Sequence, residues 1–363
     1  MATFPPPPVD SIDWSNIGFK IREGPSNRPS IYPPLIHPLI HLTSPVNGHI
    51  ESSYSRTTGT WSPLRFVTSP HLLLHGMCPA LNYGQQAFEG LKAFRNPDGA
   101  INIFRPWRNA SRLAHSATVL AMPPVPEEIF VQAVRAAVAR NAEFVPPHHT
   151  GAALYIRPLL FGSSAQLGLS PPDEYMFCVF VVPTGTYHGA QPVRALVLDQ
   201  FDRAAPLGVG HAKAGGNYAP VLRWSDAARQ QGFGITLHLD SRRHEEIDEF
   251  STSGFVGVRR DGNVVTLVVP KSAAVIDSVT SDSVQELARS FGWTVERRAV
   301  SLDIFQKTGN IFIYISNATR LNTPNCPSSP RSWPPAQLRR WCQSGPSRGA
   351  ATPPPRQAGA RRR

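Results

Sequence analysis

The sequence of 363 residues contains no apolar run near the roughly 20 residues that a membrane-spanning helix requires. Its N-terminus has no basic stretch followed by an apolar one and few arginines, so we expect neither a secretory signal nor a mitochondrial presequence. The four cysteines form no CxxC pair or metal-type cluster. These absences favour a cytoplasmic protein with reduced thiols, with mitochondria as the alternative location, and predict no membrane partner and no metal.

Acidic residues are missing from the last 58 residues, Gln306 to Arg363, where ten lysines and arginines lie. The other 305 residues carry 26 basic and 25 acidic side chains, so the net charge of +11 comes almost entirely from this tail. A near-neutral body predicts no specific nucleic-acid surface, although the tail itself could bind polyanions non-specifically. Its Pro/Arg-rich composition cannot bury a core, and we expect residues 306–363 to be disordered.

Hydrophobic periodicity predicts strands and helices in an irregular order. The predicted strands are 65–69, 72–77, 101–106, 153–161, 174–183, 193–199, 234–240 and 263–270. The predicted helices are 108–120, one starting at 126–128, one between 218 and 232, and one between 283 and 292. The last of these opens with a capping-box pattern, Ser283 to Glu286. Strands and helices that mix without strict alternation indicate an α+β fold.

One lysine has the surroundings of a nucleophile. Lys213 lies in GVGHAKAGGNYAPVL, residues 208–222, among small residues that let the backbone approach a ligand closely. A lysine shielded from water at such a place is more easily neutral, and a neutral amine is nucleophilic. Composition alone leaves open the commoner alternative, a solvated lysine on a surface loop.

Five segments resemble, in order and spacing, motifs of the branched-chain amino acid aminotransferases, a class IV aminotransferase family. They are LNYGQQAFEGLKAFR (81–95), FRPWRNASRLAHSA (104–117), LYIRPLLFGSSAQLGL (154–169), KAGGNYAPVL (213–222) and EEIDEFSTSGFVGV (245–258). The resemblance runs to Phe305. It implies a homodimer and a two-domain, D-amino acid aminotransferase-like fold of pyridoxal-phosphate fold type IV. The implied parts are an N-terminal extension (1–60), a small α/β domain (61–190) and a large cofactor-binding domain (191–305).

The same resemblance implies residues that hold pyridoxal 5'-phosphate. Lys213 would attach the cofactor and move the substrate's Cα proton, and Tyr218 would hydrogen-bond the cofactor's phenolic oxygen. Glu249 would face the pyridine nitrogen and keep it protonated, so that the ring can accept electrons. Without the resemblance, Tyr218 is equally a packed helix tyrosine, and Glu249 belongs to a solvated acidic face.

A phosphate site is implied at Arg112, where a planar guanidinium can make two contacts at once. The backbone amides of Val279 and Thr280, with the Thr280 hydroxyl, would complete it. These two residues also precede a predicted helix, a position that by itself suits a phosphate. The alternative for Arg112 is a surface ion pair.

The substrate pocket is implied to have aromatic walls, which favour Leu, Ile and Val over polar side chains. Arg157 would accommodate the second carboxylate of glutamate. The pocket-lining residues would be Tyr83, Phe88, Gly90, Tyr155 and Thr252. Considered alone, Tyr155 and Arg157 are simply alternate residues on one face of a strand.

The sequence departs from the family pattern in three places. Residues 24–45 are an insertion, and Gly254 stands where the family usually has Asn. After Phe305 we find no counterpart of the family's final strand, of its glycine-threonine-alanine loop, or of its last helix. Because that loop contacts the phosphate and the substrate carboxylate, we expect an incomplete large domain and impaired catalysis.

Transamination between a branched-chain amino acid and 2-oxoglutarate, forming a 2-oxo acid and glutamate, is the leading functional prediction. The first alternative is a truncated protein of the same fold that binds cofactor poorly. The second is another class IV activity, either D-amino acid transamination or aminodeoxychorismate lysis. The length of the motif matches favours the branched-chain group.

Overall fold

The computed structural model describes residues 5–10, 12, 14, 46–185 and 193–303, and the backbone of 311–314. The insertion predicted at 24–45 and the tail predicted from residue 306, apart from 311–314, lie outside the described residues. Within the described part, helices and strands mix without strict alternation, which confirms the α+β class. No helix in this part is long and apolar enough to span a membrane.

Eight strands between residues 49 and 184 form one antiparallel sheet. They are β1 (His49–Ser55), β2 (Thr60–Trp61), β3 (Arg65–Val67), β4 (Gln86–Phe88), β5 (Leu91–Arg95), β6 (Ile101–Ile103), β7 (Ala153–Gly162) and β8 (Glu174–Thr184). Their order is β2-β1-β8-β7-β5-β6, with β3 paired to β1 and β4 paired to β7. The centre is the long β7–β8 pair, whose valines, leucines and aromatic residues suit a pleated, buried surface.

Helices cover this sheet through their apolar faces. They are α1 (Pro79–Tyr83), α2 (Pro106–Val119) and α3 (Glu127–Ala139). The first turn of α3 carries Glu127 and Glu128, whose charges suit the positive end of the helix. The predicted apolar stripe of α3 is confirmed, because Phe130 and Val134 are fully buried in the core that joins the helices to the sheet.

The following residues form two smaller sheets. The first contains β9 (Ala195–Leu198), β10 (Ile235–Leu239) and β11 (Ile247–Phe250), in the order β11-β10-β9. The second contains β12 (Phe255–Asp261), β13 (Val264–Pro270), β14 (Thr294–Arg298) and β15 (Ile311–Tyr314), in the order β14-β13-β12-β15. The two sheets share one apolar cluster, in which Phe255 and Val268 of the second sheet pack with residues of β10 and β11. A further cluster belongs to the second sheet alone, and both are separate from the core of the large sheet.

Two parallel strand pairs position the site. β9 pairs with β10 in parallel, and β13 pairs with β14 in parallel. A parallel pair requires a crossover, and here α4 (Leu222–Gln230) and α5 (Val279–Ser290) supply it. In each crossover a loop leads from the end of one strand to the start of a helix. One loop carries Lys213, and the other ends at Val279.

The structure corrects two predicted elements. Residues 72–77 form no strand, because Leu73 is 95% exposed and no described strand pairs with this apolar run. Helix α5 begins at Val279 rather than at the predicted capping box. Ser278 is the actual N-cap, and its hydroxyl accepts a hydrogen bond from the Ser281 amide at 3.2 Å. Ser283 lies inside the helix and donates to the Val279 carbonyl.

Strand β1 corrects a third expectation. It lies within residues 1–60, which we predicted as an extension, yet it pairs with β8 from Ile50 to Ser55. Residues 49–61 are therefore part of the large sheet. Its burial rather than its sequence pattern makes β1 a strand, since HIESSYS lacks clear alternation of apolar and polar residues. The predicted boundary between domains near residue 190 stays a prediction.

Candidate active site

Lys213 is fixed by hydrogen bonds from its backbone to the large sheet and its helix. Its amide donates to the Ser116 hydroxyl on α2 at 2.9 Å, and its carbonyl accepts from the Phe88 amide on β4 at 3.0 Å. The next residue, Ala214, forms an isolated bridge with Ala87. The loop before α4 follows β9 of a small sheet but is hydrogen-bonded to β4 of the large sheet. Lys213 therefore lies where these two sheets meet.

Aromatic groups surround the side-chain amine of Lys213. Nζ donates to the Tyr218 hydroxyl at 2.9 Å and lies 4.5 Å from the centre of the Phe88 ring. The Phe88 and Tyr218 rings meet edge to face, with their centres 5.0 Å apart. These contacts restrict the lysine chain and hold its amine in one position.

Lys213 lines an open cleft of about 120 Å³. The structure brings most of the residues singled out from the sequence to this cleft. Those in its wall are Gly90, Arg112, Tyr155, Lys213, Thr252, Val279 and Thr280. Phe88 and Tyr218 join them through Lys213, and Arg157 joins them through Tyr155.

Arg112 is held by a buried ion pair with Glu89. Nε and Nη2 of Arg112 donate to the two Glu89 oxygens, each at 2.7 Å, and Nη1 donates to the Asp277 carbonyl at 2.8 Å. Burial disfavours the guanidinium cation, but the Glu89 carboxylate outweighs it and raises the pKa of Arg112. Within the described residues these contacts use three of the five N–H groups of an arginine, which leaves two for an anion.

The first turn of α5 faces the same cleft as Arg112. Val279 and Thr280 are the first two helical residues, and amides at these positions have no helical carbonyl to bind. The dipole of the helix also makes this end attractive to anions. Salt bridges tie α2 to this turn, because Arg105 lies 2.8 Å from Asp282. The cleft therefore has one strongly anion-attracting end.

Glu249, on β11, is a buried carboxylate near this lysine. Its Oε1 forms an ion pair with Arg203 Nη2 at 2.7 Å, while its buried Oε2 has no hydrogen-bond partner in the described part of the chain. Burial raises the pKa of Glu249 to about 7, against the opposing effects of Arg203 and Lys213. Glu249 lines a small cavity that shares Gly254, Ile276 and Ser278 with the cleft.

The cleft also has an aromatic end, at Tyr155 in its wall, which Arg157 contacts. Nη2 of Arg157 donates to the Tyr155 hydroxyl at 2.9 Å, and the Arg157 guanidinium lies 4.9 Å from the centre of the Phe88 ring. Gly90 makes room for this arrangement, because a Cβ at that position would lie 2.2 Å from the Tyr155 hydroxyl. Tyr155 and Arg157 thus form a contacting pair rather than two unrelated residues of one strand.

Tyr83 and Thr252 stand apart from the rest. Tyr83 is half-exposed on α1, and its hydroxyl contacts the Leu167 carbonyl. It is not among the residues that line the cleft. Thr252 lies in the cleft wall on the turn between β11 and β12 and is exposed. The roles of all these residues stay predictions.

Three charged residues at the site were missed by sequence reasoning. Glu89 is fully buried, and Arg203 binds Glu249. Lys92 lines the cleft, is 8% exposed, and has its pKa lowered to about 8 by burial. Glu89 had a usable signal, because an acidic residue in the apolar run QQAFEGL requires a buried partner. Arg203 and Lys92 had none, since lone cations of this kind are common on surfaces.

The fold and this cleft define an enzyme site built around one lysine, and sequence comparison identifies its class. The family profile described as amino-transferase class IV matches residues 86–324. The chain belongs to the class IV aminotransferase family. The match passes Phe305, where the motif resemblance ended, and it includes β15, which pairs with β12. This corrects the expectation that the family's final strand has no counterpart.

Two curated relatives are about half identical to this chain. Aminotransferase poxL of Penicillium oxalicum is 52% identical over 297 residues, which cover 82% of this chain and 75% of the relative. Branched-chain amino acid aminotransferase gloG of Glarea lozoyensis is 50% identical over 301 residues, covering 82% and 78%.

Solved structures share the fold. A branched-chain amino acid aminotransferase of Escherichia coli superposes with a TM-score of 0.60 at 25% identity, covering 72% of this chain and 80% of that one. A second branched-chain amino acid aminotransferase, solved with pyridoxamine 5'-phosphate and of a source abbreviated T.th., gives a TM-score of 0.58 at 25% identity, covering 72% and 80%. The architecture is therefore that of a fold type IV aminotransferase.

Proposed function

We propose that this chain transfers an amino group between a branched-chain L-amino acid and 2-oxoglutarate, with pyridoxal 5'-phosphate attached to Lys213. One observation carries the proposal. The Lys213 amine is held by Tyr218 in a cleft that has an anion-attracting end at Arg112 and α5. An amine nucleophile beside a built phosphate site is what attachment of a phosphorylated aldehyde requires.

The residues present fit this cofactor. The first amides of α5 and the unused N–H groups of Arg112 suit its phosphate, and the Tyr218 hydroxyl suits its phenolic oxygen. The unpartnered Oε2 of Glu249 suits a protonated ring nitrogen. When bound, the cofactor supplies an electron sink for the substrate's Cα carbanion. The cofactor itself comes to this chain by its class and by likeness to the aminotransferase solved with pyridoxamine 5'-phosphate.

The protein's own groups would then act in sequence. As a neutral amine, Lys213 Nζ would take the proton from the substrate's Cα, hold it as an ammonium, and return it to the reacting molecule. Tyr218, which already accepts its hydrogen bond, would keep the amine in place during this transfer. Glu249 would hold the proton of the ring nitrogen, and Arg112 would hold the phosphate, so that the ring stays oriented.

The substrate preference rests on the aromatic end of the cleft. Phe88 and Tyr155 present rings rather than charges, which suits an aliphatic side chain. Arg157, over the Phe88 ring, offers a cation to the second carboxylate of glutamate or 2-oxoglutarate. The name of the Glarea lozoyensis relative supports the same preference. We further propose a cytoplasmic homodimer with a small domain that includes β1 and ends near residue 190, and a large one at 191–305.

A substrate panel tests the proposal. The purified chain, loaded with cofactor, is assayed for glutamate formation from 2-oxoglutarate and leucine, isoleucine, valine, alanine, aspartate or D-leucine. The Lys213→Ala variant is the blank. We expect the three branched-chain substrates to give the highest kcat/KM. A preference for aspartate or D-leucine would refute it, and so would lysis of aminodeoxychorismate without transamination.

A further inference from the structure

The buried pair of Arg203 and Glu249 connects three parts of the site. The Arg203 side chain is 4% exposed and that of Glu249 is 5% exposed, with 2.7 Å between Nη2 and Oε1. The same Nη2 lies 2.5 Å from the Ala274 carbonyl, in the loop that leads to α5. Arg203 itself begins the segment that ends at Lys213. One side chain therefore bonds the strand of Glu249 and the loop before α5 to the segment that carries the lysine.

The chain is closely packed around Arg203. A Cβ at Gly210 would lie 2.3 Å from the Ala204 side chain and 2.4 Å from the Ala274 carbonyl. The segment between Arg203 and Lys213 therefore packs closely against Ala274, whose carbonyl accepts a hydrogen bond from Arg203. Such a close approach is the use to which a glycine is suited. Arg203 is held in place by its neighbours and can in turn hold Glu249.

The charge of Glu249 depends on its surroundings. Burial favours the neutral acid and raises its pKa to about 7, and Asp248 acts in the same direction. Arg203 and Lys213 favour the carboxylate, as does the nearby Ile276 amide. Buried carboxylates without a cation are neutral at neutral pH. A neutral acid would not hold a proton on the cofactor's ring.

The two carboxylate oxygens of Glu249 have different surroundings. Oε1 is bound to Arg203, and Oε2 is buried without a partner in the described residues. We infer that Arg203 is a positioning residue that keeps Glu249 ionised and turned so that Oε2 receives the protonated ring nitrogen of a pyridoxal-type cofactor. This inference rests on the proposed function. It assigns to Arg203 no contact with cofactor or substrate.

The test follows the ring nitrogen directly. Wild type and the variants Arg203→Met, Arg203→Lys and Glu249→Gln are loaded with cofactor labelled with ¹⁵N in the pyridine ring. The ¹⁵N chemical shift then reports the protonation of that nitrogen. Borohydride trapping reports attachment to Lys213. Arg229→Met, which removes an exposed ion pair with Asp226, is the matched control.

We expect the Arg203→Met ring to be largely deprotonated at neutral pH, as in Glu249→Gln, with the cofactor still trapped on Lys213. Arg203→Lys should restore part of the protonation, because lysine keeps the charge but loses the planar fork. We also expect kcat for leucine to fall on the order of 10²-fold, by analogy with loss of other preorganised electrostatic contacts. The control should match wild type.

A double variant separates positioning from an independent role. If Arg203 acts through Glu249, Arg203→Met with Glu249→Gln should be no slower than Glu249→Gln alone. A further tenfold loss in the double variant overturns the inference, and so does a fully protonated ring in Arg203→Met. Should Arg203→Met not fold, Arg203→Lys decides, since an unchanged ¹⁵N titration there overturns the inference too. If wild type attaches no cofactor at Lys213, the proposed function fails first.

Discussion

The Lys213 amine lies 2.9 Å from the Tyr218 hydroxyl, although the two residues are five positions apart and belong to no common α-helix. One short 3₁₀ turn, Gly215–Asn217, folds the chain back between them, and a second, Ala219–Val221, follows Tyr218. A Cβ at Gly215 would come within 3.2 Å of the Gln86 side chain, so this turn packs closely against β4. The spacing of KAGGNY thus brings the lysine and the tyrosine together through a single tight turn.

Lys213→Ala should abolish transamination, because it removes the amine that Ser116, Phe88 and Tyr218 hold in the cleft. Borohydride reduction of the wild type, followed by peptide mapping, should find the cofactor on Lys213. Lys92 is the pertinent rival, since burial lowers its pKa to about 8 and it lines the same cleft. If Lys213 carries the cofactor, the Lys92→Met variant should still trap it. Label on Lys92 would contradict the assignment.

Glu89→Gln should destabilise the chain and weaken cofactor binding. Removing one partner of a buried ion pair leaves the other uncompensated, and we expect a loss of about 3 kcal/mol in the free energy of unfolding. The freed Arg112 should lower cofactor affinity by at least about tenfold, as its fork is no longer fixed. Urea unfolding and a cofactor titration measure the two effects. Asp226→Asn, which breaks an exposed pair with Arg229, should change stability by less than about 1 kcal/mol.

Gly90→Ala should damage substrate binding while sparing cofactor attachment. The added methyl would meet the Tyr155 hydroxyl, which is buried against Arg157 and cannot move without losing that hydrogen bond. We expect kcat/KM for leucine to fall about tenfold or more, since displacement by about 1 Å can cost 10²-fold. Gly76→Ala is the control, because a Cβ there meets nothing within 4 Å. Equal kinetics for the two variants would contradict the arrangement.

Buried His238 should make the chain less stable in acid. Burial, with a contribution from the Arg203 cation, lowers the pKa of His238 to about 4. The unfolded chain binds this proton below about pH 6.5, so the stabilisation is complete above that pH and is lost as the pH falls towards 4. Between pH 7 and 4.5 the loss should be about 2 kcal/mol.

Comparison of variants isolates this effect from that of Glu249, which has the opposite sign because its pKa is raised. His238→Phe should show a smaller loss of urea stability between pH 7 and 4.5 than wild type, and the exposed His149→Phe should behave as wild type. An equal pH dependence in all three proteins would show that folding does not lower the pKa of His238.

Strong periodicity made the long elements predictable. The stripe of α3 and the apolar runs of β7, β8 and β13 were recognised because packing and local pattern agree there. Strands β1, β2, β4, β5, β11, β12 and β14 were not predicted. Most of them are short or polar, and each becomes a strand by pairing with a neighbour in its sheet. Residues 72–77 were predicted as a strand but form none, because no described strand pairs with them.

The sequence by itself determined the family motifs and so the residues expected at the site, because KAGGNY and its companion motifs tie residue types to fixed local spacings. Tertiary structure alone decided how these residues are held. Glu89 meets Arg112 across 23 positions, and Arg203, in a loop, meets Glu249 on a strand. Such pairings depend on which strands and helices become neighbours. A local pattern cannot encode them, because a charge can be buried only where folding brings an opposite charge beside it.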